Sequence, residues 1–164
     1  MKRHRQRGFS LLEVLVTVVI LSIGMLGVAA VLVTVHKANA SSYMRQQAVQ
    51  QAYDILDRMR ANRTAALQGG YNIALTTVPG APSVNCTSAS CNPTQMANYD
   101  LWQWHTDLTN DLPVASASIA TSVLGTPPNA NTVVTVTVQW SDTPTQQTLS
   151  QSVQPATYTL QTVM

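Results

Sequence analysis

One carboxylate stands out for the chemistry it could do. Glu13 lies five residues beyond Gly8, inside a run from Phe9 to Val35 that carries no other charge. About 20 apolar residues at roughly 1.5 Å rise cross the hydrocarbon core of a bilayer, so this run is long enough to span one as a helix. A carboxylate at the membrane centre costs about 2.5–3.5 kcal/mol on insertion scales, and such a cost calls for a partner. Two other readings of the same residues stand beside this. Glu13 could stay near the headgroups of an ordinary single-pass anchor. Alternatively Ala38-Asn39-Ala40 could be a secretory cleavage site, with the mature chain starting at Ser41. That apolar region would far exceed the 7–15 residues of a signal peptide, contain a glutamate and end at His36-Lys37.

The remaining reactive groups are few. Cys86 and Cys91 are the only cysteines, in Cys86-Thr87-Ser88-Ala89-Ser90-Cys91, a spacing that is neither a CxxC redox motif nor half of a zinc site. In an oxidising compartment the expectation is a local disulfide that fixes a surface turn; two unpaired buried thiols are the alternative. His105 has no acid/base cluster around it, and Trp102 and Trp104 read as packing residues rather than a ligand platform. No enzyme, metal or cofactor is expected.

Charge is unevenly placed. Of the nine Lys and Arg, four lie in the leader Lys2-Arg3-His4-Arg5-Gln6-Arg7, so the rest of the chain has five against seven acidic residues, net −2. Four leader charges against Lys37 and Arg45 beyond the span predict an N-terminus on the cytoplasmic side, with the chain beyond the span on the other side. Past Arg63 there is no Lys or Arg, only Asp100, Asp107, Asp111 and Asp142. A region without cations cannot release counterions from a phosphate backbone, so no nucleic-acid partner is expected. Anionic membrane surfaces are disfavoured for the same reason.

The elements that must position these groups emerge from periodicity. Between His36 and Asn62 there is no Pro or Gly, and Met44, Ala48, Ala52, Ile55, Leu56 and Met59 recur at helical spacing. Asp54 and Arg58 form a favourable i,i+4 pair. One continuous helix from Phe9 to Arg63 is therefore predicted, about 80 Å long, with Gly69-Gly70 as a stop beyond it. Thr76 to Pro93 reads as loop. Asn98 to Leu112 reads as a short helix with Leu101, Trp104, Leu108 and Leu112 on one face, capped by Asn98 or Thr94. Asp107 and Asp111 are expected to face solvent as a like-charge pair. Thr132–Trp140 is the clearest strand, with Val134, Val136, Val138 and Trp140 on one side. Ser141-Asp142-Thr143-Pro144 reads as a turn, Thr148–Val153 and Ala156–Val163 as strands, and Ser116–Val123 as a weaker one. The fold class is α+β: a long N-terminal helix packed on a small antiparallel sheet. Four segments are expected: a leader at 1–8, a membrane and assembly helix at 9–35, its amphipathic continuation at 36–66, and a head at 67–164.

The basic leader, Gly8-Phe9 and Glu13 together resemble the class III signal of type IV pilins. That resemblance implies cleavage after Gly8 by a prepilin peptidase and N-methylation of the new terminus, Phe9. It also implies that Glu13 pairs with the terminal amine of a neighbouring subunit and so sets assembly register. Most major pilins have a proline in mid-span, where this chain has Gly24 and Gly27, which could permit local melting or close helix approach. Asp57-Arg58-Met59-Arg60-Ala61-Asn62, Asp100-Leu101-Trp102-Gln103-Trp104 with Leu112-Pro113, and Val134-Thr135-Val136 before Trp140-Ser141-Asp142 look like PilV-type minor pilins. Such a subunit is expected to prime pilus assembly and join the tip, supporting adhesion and twitching motility. Its implied partners are other minor pilins, the major pilin, the prepilin peptidase and the inner-membrane assembly platform, and could include a tip adhesin. Its implied location is the inner membrane, with the head periplasmic, and then the pilus surface. A minor pseudopilin of type II secretion shares signal and fold and is the alternative.

Overall fold

The computed structural model describes residues 10–125, 131–142 and 155–164. Along the chain these form α1 (Leu11–Ala61), α2 (Arg63–Leu67), α3 (Pro93–Asp111), β1 (Ser116–Leu124), β2 (Asn131–Trp140) and β3 (Ala156–Val163). Two compact units are distinguished, Met1–Asn39 and Ala40–Met164, and α1 contributes to both.

In the first unit α1 is apolar and exposed all round. Its best 18-residue window has a mean hydropathy of 2.7 and is 0% buried. The hydroxyls in this stretch are satisfied within the helix. Thr17 donates to the Val14 carbonyl at 2.8 Å, Ser22 to Val18 at 2.7 Å and Thr34 to Ala30 at 3.1 Å. A helix that faces lipid needs this, since hydrocarbon offers no other acceptor.

In the second unit Met44, Ala48, Ala52, Ile55, Leu56 and Met59 form a buried stripe on α1. The sequence predicts a helix to Arg63, but α1 stops at Ala61. Asn62 breaks it, with φ −111° and ψ 54°, and its side-chain amide turns to the Pro93 carbonyl at 2.7 Å. A short side chain that competes for backbone partners suits such a break. The stop at Gly69-Gly70 belongs to α2. Gly69 adopts φ 74°, and its N–H reaches the Ala66 carbonyl while that of Gly70 reaches Ala65. These two bonds define a Schellman cap, which wants glycine at the left-handed position.

The second long helix also departs from expectation. It begins at Pro93, five residues before Asn98, and neither Asn98 nor Thr94 caps it. Asn92 is the N-cap: its side chain accepts from the Gln95 N–H at 2.9 Å, and the Gln95 side chain accepts from the Asn92 N–H at 3.0 Å. Asn92-Pro93-Thr94-Gln95 is a capping box with proline at the first helical position, where its missing N–H costs nothing. Leu101, Trp104, Leu108 and Leu112 are buried, as the periodicity requires.

The sheet is an antiparallel meander in the order β1-β2-β3. Its inner face carries Ala117, Ile119, Val134, Val136, Val138 and Trp140, all buried in one core with the α1 stripe, Tyr71 and α3. Its outer face is mainly hydroxyl and amide side chains, with Ser118, Thr137 and Thr159 in one row across the strands and Ala120, Leu124, Val133 and Val163 toward one end. Ile73 adds a two-bond bridge to Ile119, so part of the α2–α3 connection joins the free side of β1. The suggested strand at Thr148–Val153, and Thr143-Pro144 of the suggested turn, lie outside the described residues.

Candidate functional site

Glu13 sits in the first turn of α1. The Ser10 hydroxyl oxygen accepts a hydrogen bond from the Glu13 N–H at 3.2 Å, and the Ser10 carbonyl accepts from the same N–H at 3.1 Å. Ser10-Leu11-Leu12-Glu13 therefore starts the helix as the first half of a capping box, a local signal that the length and polarity of the run do not carry. A carboxylate here also faces the positive end of the helix dipole. Among the described residues Glu13 has no cationic partner. Gly8 and Phe9 lie outside the described residues. Gly24 and Gly27 fall within an unbroken helix, and a Cβ added at either would meet nothing within 4 Å.

The densest polar cluster lies instead between α1, α2 and α3. Arg58 at its centre donates from Nε to Asp54 at 2.9 Å and from Nη1 to the Gln103 amide oxygen at 3.0 Å. Asp100 and Asp107 stand farther from its guanidinium, at 3.9 and 3.8 Å. The Tyr71 hydroxyl donates to Asp100 at 2.5 Å and accepts from Asn62 at 3.2 Å. Burial raises the Asp100 pKa, while the Tyr71 hydrogen bond and the Arg58 charge act against that rise. Burial first, and then Asp100, also push the Tyr71 phenol upward, so it stays protonated. Asp107 and Asp111 do not simply face solvent as expected. Asp107 leans toward Arg58, and Asp111 accepts from the Gln51 side chain at 2.7 Å. Both are drawn to α1 because Arg58 and Gln51 lie one helix away.

This cluster braces the helices against one another. Its carboxylates are occupied by donors that belong to the fold, and among the described residues no three His, Cys, Asp or Glu could hold a metal ion. His105 is lowered in pKa by burial. Trp104 packs fully buried, with its indole N–H donating to the Gln51 carbonyl at 2.8 Å. Trp102 lies tilted against Tyr99, ring centres 6.0 Å apart.

Cys86 and Cys91 form a disulfide, with Cα atoms 5.6 Å apart. Asn85, just before the loop it closes, accepts at its side chain from the Thr87 N–H and hydroxyl at 3.0 and 2.7 Å. Cys91 directly precedes the Asn92 cap, so the crosslink ties this turn to the start of α3.

An exposed apolar helix with one carboxylate in its first turn, running on into a helix-braced antiparallel head, is an α+β, pilin-like arrangement. Comparison with known families agrees. Residues 3–29 match the prokaryotic N-terminal methylation motif, and residues 30–102 match the family described as type IV pilin Tt1218. The chain is a type IV pilin-like protein. No curated protein and no solved structure matches it. The three strands lie beyond the matched residues, so their arrangement rests on the structure alone.

Proposed function

We propose that the chain is a PilV-type minor pilin. It is cleaved after Gly8 and methylated at Phe9 on the cytoplasmic side, then held in the inner membrane by residues 9–35 with its head in the periplasm. From there it joins other minor pilins to prime a type IV pilus, is incorporated at the tip with the major pilin, and supports adhesion and twitching motility. Glu13 pairs with the terminal amine of a neighbour and sets the axial register. The observation that carries this reading is the capped, exposed apolar helix with Glu13 as its only charge between Leu11 and Val35, within and beyond the matched methylation motif. Gly24 and Gly27, open on that helix, are points where a neighbour's helix approaches closely.

Two measurements test it. Intact-mass analysis of membrane-extracted protein should find a chain beginning at methylated Phe9; a start at Ser41 refutes the reading. Deleting the gene should remove surface pili and leave protein secretion normal. The reverse phenotype would assign the chain to a secretion pseudopilus.

A further inference from the structure

Between α3 and the connection that leads to it from α2 lies a cavity of about 470 Å³, apart from the polar brace around Arg58. Sites for small molecules run from about 300 to 1,000 Å³, so the volume is of the right order. Asn72, Ile73, Thr77 and Ser83 line it from the connection, and Asn98 and Leu101 line it from α3. Its walls are held by bonds of the fold. Ile73 exchanges two backbone bonds with Ile119 of β1, each 3.0 Å, and the Thr77 N–H closes a turn on the Ala74 carbonyl at 2.9 Å. The Thr121 hydroxyl donates to the Asn72 side-chain oxygen at 2.7 Å. Pro79 and Pro82, also in the wall, fix φ on either side of the Gly80-Ala81 pair. Walls fixed in advance keep the ordering cost of binding low. What stays unspent is neutral hydrogen-bonding capacity. The Asn72 amide nitrogen, the Asn98 amide and the Thr77 and Ser83 hydroxyls make no hydrogen bond among the described residues.

We infer that this cavity binds an uncharged polyhydroxylated ligand, a short neutral saccharide. Charge decides first. None of the lining residues is charged, and residues 64–99 contain no Lys, Arg, His, Asp or Glu. Asp100 comes next in the chain, but its carboxylate is bound by the Tyr71 hydroxyl and it does not line the cavity. An ionic ligand would therefore leave water without a counter-charge. An extended peptide is disfavoured in turn. Adding a strand requires free backbone groups, and those of Ile73 are already paired with Ile119. A wholly apolar ligand would strand the amides and hydroxyls. A sugar ring suits both kinds of wall, its hydroxyls meeting the amides and hydroxyls and its C–H face meeting Ile73 and Leu101. The cavity lies wholly within the unit Ala40–Met164, and only its use in adhesion rests on the pilin reading above.

The test uses the full chain, extracted in a detergent that has no sugar headgroup to compete. The probes are arrayed neutral disaccharides and trisaccharides of hexoses and N-acetylhexosamines, beside the same saccharides sialylated or sulfated. Titration calorimetry then measures the affinity of the best binder. A neutral saccharide should bind, and its charged counterparts should bind more weakly. Asn98→Ala replaces an exposed helix residue by the best helix former, so it should melt no lower while losing at least about fivefold in affinity. Gly80→Phe fills the cavity from a position where an added Cβ meets nothing within 4 Å, and should abolish binding. Failure of every neutral saccharide to bind, equal binding of the charged ones, or native affinity in either variant that melts as the native chain does would overturn the inference. Methylated Phe9 in a chain that binds no saccharide would remove the site and leave the pilin reading standing. A saccharide-binding chain that starts at Ser41 would keep the site and end that reading.

Discussion

Removing the Tyr71 hydroxyl probes the brace that joins α2 to α3. Tyr71→Phe keeps the buried ring and deletes the donor to Asp100, a carboxylate in a residue only 9% exposed. Asn62 retains its bond to the Pro93 carbonyl, so the break after α1 keeps one of its two ties. A hydrogen bond to a charged group contributes about 1.5–3 kcal/mol, and Arg58 at 3.9 Å compensates little because that is beyond hydrogen-bonding distance. The expected loss is therefore about 2 kcal/mol at neutral pH. The dependence on pH has a definite sign. Burial holds the folded Asp100 pKa above its unfolded value, so between the two the native state binds more protons and this group's contribution to stability falls as pH rises. The Tyr71 hydrogen bond opposes that rise, so Tyr71→Phe should raise the pKa further and carry the decline to higher pH. Below the unfolded value, about 3.9, Asp100 is protonated in both states and the cost of the substitution should shrink toward that of a neutral hydrogen bond, about 1 kcal/mol. Urea unfolding of the detergent-extracted full chain, followed by tryptophan fluorescence at neutral pH and at a pH below that unfolded value, measures both quantities. Asp100→Asn should remove the pH-dependent part. A Tyr71→Phe cost below about 0.5 kcal/mol at neutral pH, or one of equal size at both pH values, would refute the reasoning.

Other substitutions address the remaining parts of the structure. Glu13→Gln keeps the length and hydrogen-bonding ability of the third helical residue but not its charge, so insertion and cleavage should proceed while recovery with other pilins falls; normal piliation would reduce Glu13 to a tolerated interfacial charge. Gly69→Ala forces a Cβ to within 2.8 Å of the Asn72 side-chain nitrogen at φ 74° and should cost about 1–2 kcal/mol in a denaturant titration. Replacing Cys86 and Cys91 together by serine opens a short loop, with a sequence separation of 5 between its ends, worth about 2 kcal/mol on the chain-entropy model. Hydrogen exchange should find the lost protection concentrated at the start of α3.

The parts of this fold that are legible in sequence share one property: their signal is periodic and local. The α1 stripe, the buried face of α3 and the alternation of Val134, Val136, Val138 and Trp140 each announce a buried face, because only one face of each element meets the core. Ala156–Val163 is legible at its observed bounds for the same reason. The caps carry a signal that periodicity does not. Asn92-Pro93-Thr94-Gln95 lies in a segment whose Pro, Ser and Asn content reads as loop, so composition hides the capping box and sets the helix start five residues late, at Asn98. Ser10-Leu11-Leu12-Glu13 is obscured differently, since a carboxylate in an apolar run invites a long-range explanation and its local place beside the Ser10 cap is easily missed.

The polar cluster shows where local reading must fail. Arg58 and Asp54 are four residues apart and pair by sequence spacing alone, but Gln103, Asp100 and Asp107 reach the same guanidinium from 42 to 49 residues farther along. Their convergence depends on how α3 crosses α1, which the pattern of either helix alone leaves open. Asp107 and Asp111 illustrate the consequence. As neighbours on an isolated helix they repel and should face water, yet the adjacent helix supplies a guanidinium to one and an amide donor to the other. The same logic applies to the apolar unit. Glu13 has no cation among the described residues of its own chain, and neither Gly24 nor Gly27 has a neighbour to approach. The head's isolated features are completed by a helix next to them, and the proposed function assigns the lone carboxylate and the open glycines of residues 11–35 to a helix of another subunit in the same way.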